Sequence, residues 1–186
     1  NGLAGYDFDT YGVSFGFDNK VNDTCAVGFG LGLANSDVSF DYGQDTDMDS
    51  YHVGLYGTHS NERYFLDVAL LYASNDYDAS RVSLLSNASS STDGTELGLY
   101  VGAGFYMMDT ESMYFTPTAS IEFAQVDIDG FVESGTGLLY DVDDYDADSF
   151  VTTLGFNWGG KMVAGETRFE PEFRLAWAHE FVDTDR

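Results

Sequence analysis

The sequence predicts an all-β protein, an antiparallel up-and-down transmembrane β-barrel with about eight strands in this chain. Three observations predict this fold class. Apolar residues alternate with small or polar ones, polar connections alternate between short and long, and aromatic residues bracket the apolar rows at a fixed spacing. Alternation at period two is typical of strands, because successive side chains point to opposite faces, whereas helical patterns repeat every ~3.6 residues. Residues 1–186 are expected to be a single barrel domain or a fragment of one.

Eight apolar rows follow one another along the chain, and each predicts a strand. In chain order they run from Tyr11 to Phe17, Val27 to Leu33, Tyr51 to Leu55, Tyr64 to Tyr72, Leu97 to Phe105, Phe115 to Phe123, Phe150 to Trp158 and Phe169 to Trp177. The rows opposite the second and fifth are rich in glycine, whereas the row opposite the last carries charges. Pro117 and Pro171 fall on apolar rows, which is unusual for a continuous sheet.

The connections between these rows differ in length and charge. Short ones lie near residues 18–24, 60–63, 108–112 and 159–161, and long ones run over about 35–49, 74–96 and 127–149. The long connections are polar and mostly acidic, whereas Lys20, Arg63 and Lys161 lie in short turns. Short turns at one end and long loops at the other are typical of an outer-membrane barrel.

The aromatic brackets indicate which solvent the apolar rows face. They are formed by Tyr64 and Tyr72, Phe115 and Phe123, Phe150 and Trp158, and Phe169 and Trp177. Eight residues at about 3.3 Å each span roughly 26 Å of strand. A tilt of about 40° reduces this to roughly 20 Å along the membrane normal, near the height of a lipid-facing band with aromatic girdles. These eight side chains are therefore expected at the two lipid–water interfaces.

The charged row on the last predicted strand gives a second argument. Arg168, Glu170, Glu172 and Arg174 occupy consecutive positions on one face. Four charges in a dry core would cost several kcal/mol each unless they were fully paired, whereas a wet lumen accommodates them. We therefore expect them to line a lumen. The alternative is the water-facing side of a soluble sheet.

Composition excludes several classes of function. The chain has 32 Asp and Glu against 7 Lys and Arg, a formal net charge of −25, so nucleic acid is not an expected partner. The 15 Phe and 13 Tyr argue for packed structure in spite of this acidity. Cys25 is the only cysteine, so an intrachain disulfide and a cysteine metal site are excluded. No cofactor is expected.

Short motifs for chemistry are weak in this chain. "VGFGLGL" (residues 27–33) lacks the third glycine of a dinucleotide-binding loop, and Ser14 in "GVSFG" falls inside a strand instead of a nucleophile elbow. The three histidines lack metal-ligand spacing, so polar partners at strand ends are expected for them. Asp45, Asp47 and Asp49 resemble the start of a calcium loop, but its glycine and its bidentate glutamate are missing. We predict no enzyme and no dedicated metal site.

Seven segments in order resemble the β-barrel translocator domain of bacterial autotransporters, the type V secretion pathway. They are "YDFDTYGVSFGFD", "AVGFGLGLANSDVSFD", "DSYHVGLYGTH", "YFLDVALLYASNDYD", "FTPTASIEFAQVDIDGFVE", "DADSFVTTLGFNW" and "EPEFRLAWAHEF". The resemblance implies a 12-stranded barrel in the outer membrane of a Gram-negative bacterium. It also implies insertion by the barrel-assembly machinery and export or surface anchoring of a covalently linked passenger. The positions that match the lumen lining are Glu122, Glu172 and Arg174.

This sequence departs from the family pattern in two respects. We count eight strands instead of twelve, and we find neither a lumen helix nor a passenger, so the chain resembles an internal portion of the domain. Two other functions therefore stay open at this point. One is a soluble or secreted acidic β-protein that binds a ligand or assembles through its strand edges. The other is a small closed eight-stranded barrel with a structural or adhesive role at the surface.

Overall fold

The computed structural model of the protein describes residues 5–40, 43–82, 86–110, 112–160, 162–164 and 167–182. All regular structure in this part of the chain is strand. The strands are β1 (Tyr6–Lys20), β2 (Cys25–Phe40), β3 (Gln44–Ser60), β4 (Tyr64–Val82), β5 (Ser86–Phe105), β6 (Met108–Asp109), β7 (Met113–Ile128), β8 (Phe131–Val132), β9 (Ser134–Gly137), β10 (Asp141–Val142), β11 (Tyr145–Gly160), β12 (Met162–Ala164), β13 (Thr167–Phe169) and β14 (Glu172–Glu180).

Eight of these strands form one antiparallel sheet in the order β1-β2-β3-β4-β5-β7-β11-β14. Each is hydrogen-bonded to its neighbour along the chain, so the up-and-down topology and the eight strands predicted from the sequence are confirmed. The short strands β6 and β9 extend this sheet beside β7 and β5, while β8 with β10 and β12 with β13 form separate pairs. Within the described residues β1 and β14 do not pair with each other, and the sheet has two open edges.

The strands are longer than the apolar rows predicted. β1 to β5, β7 and β11 have 15–20 residues each. Most of the predicted long connections 35–49 and 74–96 are therefore wrong as loops, because β2 continues to Phe40 and β4 to Val82. Alternation reveals a strand only where its two faces meet different solvents, and these segments are mostly polar on both faces. We call the end of the sheet that contains Phe40 of β2 and Val82 of β4 the loop end, and the opposite end the turn end.

Both prolines lie at breaks in the ladder. The prediction of one strand from Phe169 to Trp177 is wrong, because Pro171 separates β13 from β14. β13 pairs with β12, and only β14 continues the sheet beside β11. Pro117 of β7 is paired with Phe156 of β11, and the break is on its other side, between Thr118, which pairs with β5, and Phe115, which pairs with β6. A residue without an N–H group is tolerated where the ladder is interrupted.

The two faces of the sheet have opposite chemistry. The register aligns large apolar side chains across seven strands in one lateral row, made of Phe17, Phe29, Leu55, Leu70, Leu99, Phe123 and Phe150. On β2 the apolar side chains of this face are exposed, whereas the glycines between them are partly covered. We call the two faces the apolar face and the glycine face.

The protein has no packed core of large side chains in the part that the structure describes. Its buried hydrophobic residues are Ala73 and Ala88, whereas Phe15 is 74% and Leu55 58% exposed to solvent. A chain of this length in water normally buries most of its large apolar side chains. The exposed apolar face is therefore built for a solvent other than water. Among the described residues no helix is long and apolar enough to cross a membrane.

Candidate functional site

The middle of the glycine face is lined by very small residues. Gly16, Gly30 and Gly54 lie side by side on β1, β2 and β3, and the same lateral row continues through Leu71, Gly98, Ala124 and Ser149. An added Cβ at Gly30 would have its nearest neighbour 3.7 Å away, at the Phe15 carbonyl oxygen. These glycines leave open space in front of the wall, as the alternation in "VGFGLGL" indicates.

Other glycines on the same face are covered by aromatic rings of adjacent strands. An added Cβ at Gly28 would lie 2.3 Å from the ring of Tyr56, and one at Gly159 would lie 2.2 Å from the ring of Tyr114. The register explains both contacts, because Tyr56 on β3 is paired with Gly28 and Tyr114 on β7 with Gly159. At these positions the absent side chain makes room for a ring that lies along the wall.

A polar cluster joins three strands at the turn end of the glycine face. The Tyr114 hydroxyl donates to Glu172 Oε2 at 2.6 Å, and Arg174 Nε donates to the other oxygen of that carboxylate. Tyr114 lies on β7 and the two charged residues on β14, while Gly159 of β11 lies between them in the register. The missing side chain at Gly159 allows the tyrosine to reach across β11. The carboxylate thus has a partner on each oxygen.

The structure brings only some of the predicted lumen residues together. Glu172 and Arg174 form the cluster above, and Glu122 lies on the same face of β7, exposed and paired with Tyr100 and Val151. Glu170 is exposed and lies between β13 and β14, outside both strands. Arg168 lies on β13, away from the row of β14, and its side chain is outside the described part of the structure. The four charges therefore do not form one continuous row.

Most of the predicted interface aromatics lie at two levels of the apolar face. The register places Tyr64, Phe115 and Trp158 toward the turn end, and Tyr72, Phe123 and Phe150 toward the loop end. Trp177 pairs with Leu154, midway between Phe150 and Trp158. Tyr64 stacks on Phe105 of β5 with ring centroids 6.2 Å apart. Phe169 is 51% exposed but lies on β13, so it does not share a strand with Trp177. Three brackets out of four therefore span a single strand.

The acidic residues at the loop end lie on a regular strand. Asp45, Asp47 and Asp49 follow one another on the apolar-face side of β3, so the comparison with a calcium loop is corrected. An extended strand points its carboxylates outward in parallel, whereas a calcium loop turns them toward one ion. The described residues contain no group of three or more His, Cys, Asp or Glu that could hold a metal ion.

These aspartates belong to a larger acidic surface. Asp9, Asp37, Asp47 and Asp78 are register partners on β1 to β4, so four carboxylates lie in one lateral row. Like charges directly opposite each other destabilise a strand pair. This row lies closer to the loop end than Tyr72, in the part of the apolar face that no longer carries large apolar side chains.

One polar pair at the turn end was not predicted as such. Cys25 Sγ lies 3.1 Å from His59 Nδ1, and the two residues are register partners on β2 and β3. The His59 ring also contacts Tyr64, with centroids 5.4 Å apart. His59 thus has a polar partner at a strand end, as the sequence predicts, but only the strand register shows that this partner is Cys25.

The sequence did not reveal one ion pair at the loop end. Arg81, at the end of β4, donates to both oxygens of Glu133, at 3.2 Å from Nε and 2.6 Å from Nη2. Its guanidinium also lies 4.7 Å from the centre of the Tyr140 ring. The arginine holds the pKa of the Glu133 carboxyl below its usual value. The only feature of the sequence that indicates this contact is the apolar "GLLY" stretch (residues 137–140) within an acidic connection, because a loop that is fully exposed to water is usually polar throughout.

Comparison with known families decides what this sheet is. The autotransporter β-domain profile matches residues 1–186, the whole chain. The chain belongs to the autotransporter β-domain family. The apolar face is thus the lipid-facing side of an outer-membrane translocator barrel, and the membrane interpretation is confirmed over the soluble one.

Solved structures of the family agree with the observed fold. The translocator domain of the autotransporter NalP from Neisseria meningitidis superposes with a TM-score of 0.75 at 16% identity, over 92% of this chain and 61% of that one. The β domain of the Bordetella autotransporter BrkA gives 0.72 at 20% identity, over 95% and 72%.

A relative supports the location of the autotransporter barrel. Outer membrane protein B of Rickettsia rickettsii is 25% identical over 148 residues, which are 73% of this chain and 9% of that protein. The family and this relative place the chain in the outer membrane of a Gram-negative bacterium. The chain spans about a fifth or less of the length of the curated relatives that it matches.

Proposed function

We propose that this chain forms most of the wall of one closed barrel, and that the glycine face lines a water-filled lumen through which a covalently linked passenger is exported or anchored. The observation that carries the proposal is the contrast between the two faces of the same eight strands. One face presents continuous large apolar side chains, and the other presents glycine, small polar residues and the Glu172 cluster.

The geometry supports a lumen lined by small and charged residues. The open row of Gly16, Gly30 and Gly54 provides width, and Glu122, Glu172 and Arg174 on the same face provide hydrated charge. The six interface aromatics on β4, β7 and β11 would anchor the barrel at the two membrane surfaces. Closure needs a partner for each open edge, because unpaired N–H and C=O groups are not tolerated in lipid. The two translocator neighbours, of which this chain covers 61% and 72%, leave room for the strands that would supply these partners.

Two partners follow from family membership at a coarse level. Autotransporter β-domains carry a passenger domain and are handled by outer-membrane machinery. The finer proposal is that the barrel-assembly machinery inserts this chain and that the passenger is encoded in the same polypeptide. We assign no enzymatic step to the barrel. The serine of the "GVSFG" motif supports this, since Ser14 lies inside β1 and lacks the strand–turn–helix geometry of a nucleophile elbow.

The experiment that tests the lumen compares cysteines on the two faces of β14. Glu172→Cys and Leu175→Cys, each in a Cys25→Ser background, are assembled in vesicles and exposed to a membrane-impermeant maleimide. The thiol of Glu172→Cys is expected to react, and that of Leu175→Cys to be protected by lipid. The lumen proposal fails if Leu175→Cys reacts as fast as Glu172→Cys in a barrel that migrates as a folded, heat-modifiable species.

The experiment that tests transport uses the full polypeptide that contains this chain. Val68→Arg places a charge at the centre of the lipid-facing row of β4, whereas Asp78→Arg changes the same strand and face at the loop end. Surface exposure of the region outside the barrel is measured with protease on intact cells. We expect exposure to be lost with Val68→Arg and kept with Asp78→Arg. Equal exposure in both variants would contradict a role of the barrel in display.

A further inference from the structure

The third long connection, residues 130–144, folds into a compact segment that we call the strap. It begins at Gly130, contains the short strands β8, β9 and β10, and ends before β11. β8 and β10 pair with each other through Val132 and Asp141 and through Phe131 and Val142. In addition, Glu133 N donates to the Tyr140 carbonyl at 2.9 Å and Tyr140 N donates to Glu133 Oε2 at 2.9 Å. The strap therefore has internal structure of its own.

One side of the strap is attached to the edge of β5. β9 pairs with residues 86–89 of β5, the part of that strand that lies beyond its pairing with β7. Gly135 has φ of 142°, and an added Cβ there would lie 2.0 Å from the Asn87 carbonyl oxygen. Glycine is thus required where the strap approaches β5. The Ser89 and Ser134 hydroxyls, on paired residues, lie 3.3 Å apart.

The rest of the strap crosses the glycine face toward β4. Arg81 and Ala79 lie on that face of β4, in the same alternation as Ala73. Phe131, Glu133 and Tyr140 of the strap enclose with them a cleft of about 230 Å³, whose floor includes Ala88 and Ser90 of β5. Ala88 is 2% exposed. The strap thus lies over the inside of the wall instead of projecting away from it.

Arg81 is the one strong contact between the strap and β4 among the described residues. It makes the two hydrogen bonds to Glu133, donates to the Leu138 carbonyl at 3.1 Å, and lies over the Tyr140 ring. Bidentate arginine–carboxylate pairs are among the strongest ion pairs in proteins. Of the lysines and arginines that the structure describes, only Arg81 lies at the loop end, among many aspartates. Within that part of the chain no second cation is close enough to replace it.

We infer that the strap is a latch that narrows the loop-end mouth of the lumen, and that Arg81 keeps it closed. This inference rests on the proposed function in one respect, because the glycine face that the strap covers is the lumen wall only under that proposal. With the Arg81 contacts broken, β9 still tethers the strap to β5, so the paired strands β8 and β10 swing away from β4 together. This movement uncovers Ser90 and the neighbouring wall from the loop-end side. Arg81 is a positioning residue in this device.

The test measures access to the wall beneath the strap. Ser90→Cys is the reporter and Thr10→Cys, on the glycine face of β1 at the loop end, is the control reporter, both in a Cys25→Ser background. A membrane-impermeant maleimide is added to the membrane-embedded protein, and labelling rates are compared for Arg81, Arg81→Ala and Arg81→Lys. Arg81→Ala is expected to raise the rate at the Ser90→Cys reporter about tenfold, since a charge-assisted pair is lost. With Arg81→Lys the labelling rate at the Ser90→Cys reporter should lie between the rates with Arg81 and with Arg81→Ala. The labelling rate at the Thr10→Cys control should not change.

A matched cation at the other end controls for charge. Arg63→Ala removes an arginine at the turn end, away from the strap, and should leave both labelling rates unchanged. The latch is refuted if the Ser90→Cys reporter reacts at the same rate with Arg81 and with Arg81→Ala in heat-modifiable barrels. A barrel that loses heat-modifiable migration even with Arg81 would instead contradict the proposed function, so the two failures can be told apart.

A disulfide lock keeps the latch testable if Arg81→Ala folds poorly. Ser89→Cys with Ser134→Cys joins the strap to β5 at positions that the register already pairs. Chymotrypsin cleavage within Leu138, Leu139 and Tyr140 is followed by mass spectrometry. We expect Arg81→Ala to speed cleavage severalfold with the lock reduced or oxidised, because β9 stays paired with β5 when the rest of the strap moves away from β4. Cleavage that is equally fast with Arg81 and with Arg81→Ala, reduced or oxidised, would overturn the inference.

Discussion

The same strand of this protein passes through two different environments. On the apolar face of β4, Tyr64 to Tyr72 present large apolar side chains, and beyond them Ser74, Asp76, Asp78 and Ser80 continue the same alternation. The backbone ladder does not change at the boundary, because β3 and β5 pair with β4 along both parts. Only the side chains change.

This comparison shows what each part of the barrel requires from its side chains. In the lipid-facing band, stability depends on keeping charge off the apolar face, because lipid cannot hydrate it. At the loop end, water screens the aspartates, and the structure is held by the backbone ladder and a few specific contacts such as Arg81 with Glu133. The same substitution should therefore have different effects in the two parts.

The largest effect is expected from a charge in the middle of the band. Val68 lies midway between Tyr64 and Tyr72, so Val68→Arg should destabilise the barrel by about 2–4 kcal/mol. Asp78→Arg, on the same strand and face at the loop end, should leave stability unchanged or raise it, because Asp47 lies opposite. Urea unfolding in lipid vesicles measures both. A similar loss for the two variants would contradict the division into band and loop end.

The next effect separates covered from open glycines within the band. Gly28→Ala forces the Tyr56 ring to move, which should cost about 1–3 kcal/mol. Gly30→Ala on the same strand meets nothing closer than 3.7 Å and should change stability by less than about 0.5 kcal/mol. Both are measured by the same unfolding assay. In a Tyr56→Ala background the cost of Gly28→Ala should largely disappear, and its persistence would show that the ring is not the cause.

The difference between the two regions also explains what could be predicted from the sequence. In the band, large apolar residues on one face and small residues on the other produce an alternation that identifies the eight strands of the sheet. At the loop end this contrast is weak and on β2 it is reversed, because Val38 and Phe40 lie on the glycine face, so the extension of β2 to Phe40 was not visible. The break at Pro171 and the pairing of Arg81 with Glu133, 52 residues apart, depend on register and tertiary contact, which one sequence does not encode locally.

The third prediction concerns acid and is specific to the strap. Arg81 is the charged group that faces Glu133, Tyr140 is its titratable neighbour, and the residues of β3 and β5 that line the cleft, Gln44, Ala88 and Ser90, are uncharged. The pKa of Glu133 is lowered in the folded protein, so the ionised carboxylate stabilises the closed strap fully above about pH 4.3, the usual pKa of a glutamate. This stabilisation is lost as the pH falls through the lowered pKa. The latch should therefore loosen in acid.

The measurement of this pH dependence needs a probe on the strap. A spin label at Leu138→Cys, in a Cys25→Ser background, should become more mobile as the pH falls from about 6 to about 3, on either side of the usual carboxyl range. Arg81→Ala should be mobile at all these pH values and so lose the dependence. A transition of the same size in Arg81→Ala would show that another group controls the strap.

The smallest effect is expected on the acidic row outside the band. Asp47 has Asp37 and Asp78 as register partners on its two sides, so Asp47→Asn removes repulsion and should raise stability slightly. Charges this close in water are screened by salt with a Debye length of about 10 Å at 0.1 M. The gain should thus be measurable by urea unfolding at low ionic strength and should vanish at about 1 M salt, where that length is about 3 Å. Asp109→Asn at the turn end is the matched control and should show no such gain. A gain that does not depend on salt would mean that Asp47 acts through packing and not through charge, and the loop end would then resemble the band more closely than the two faces of β4 indicate.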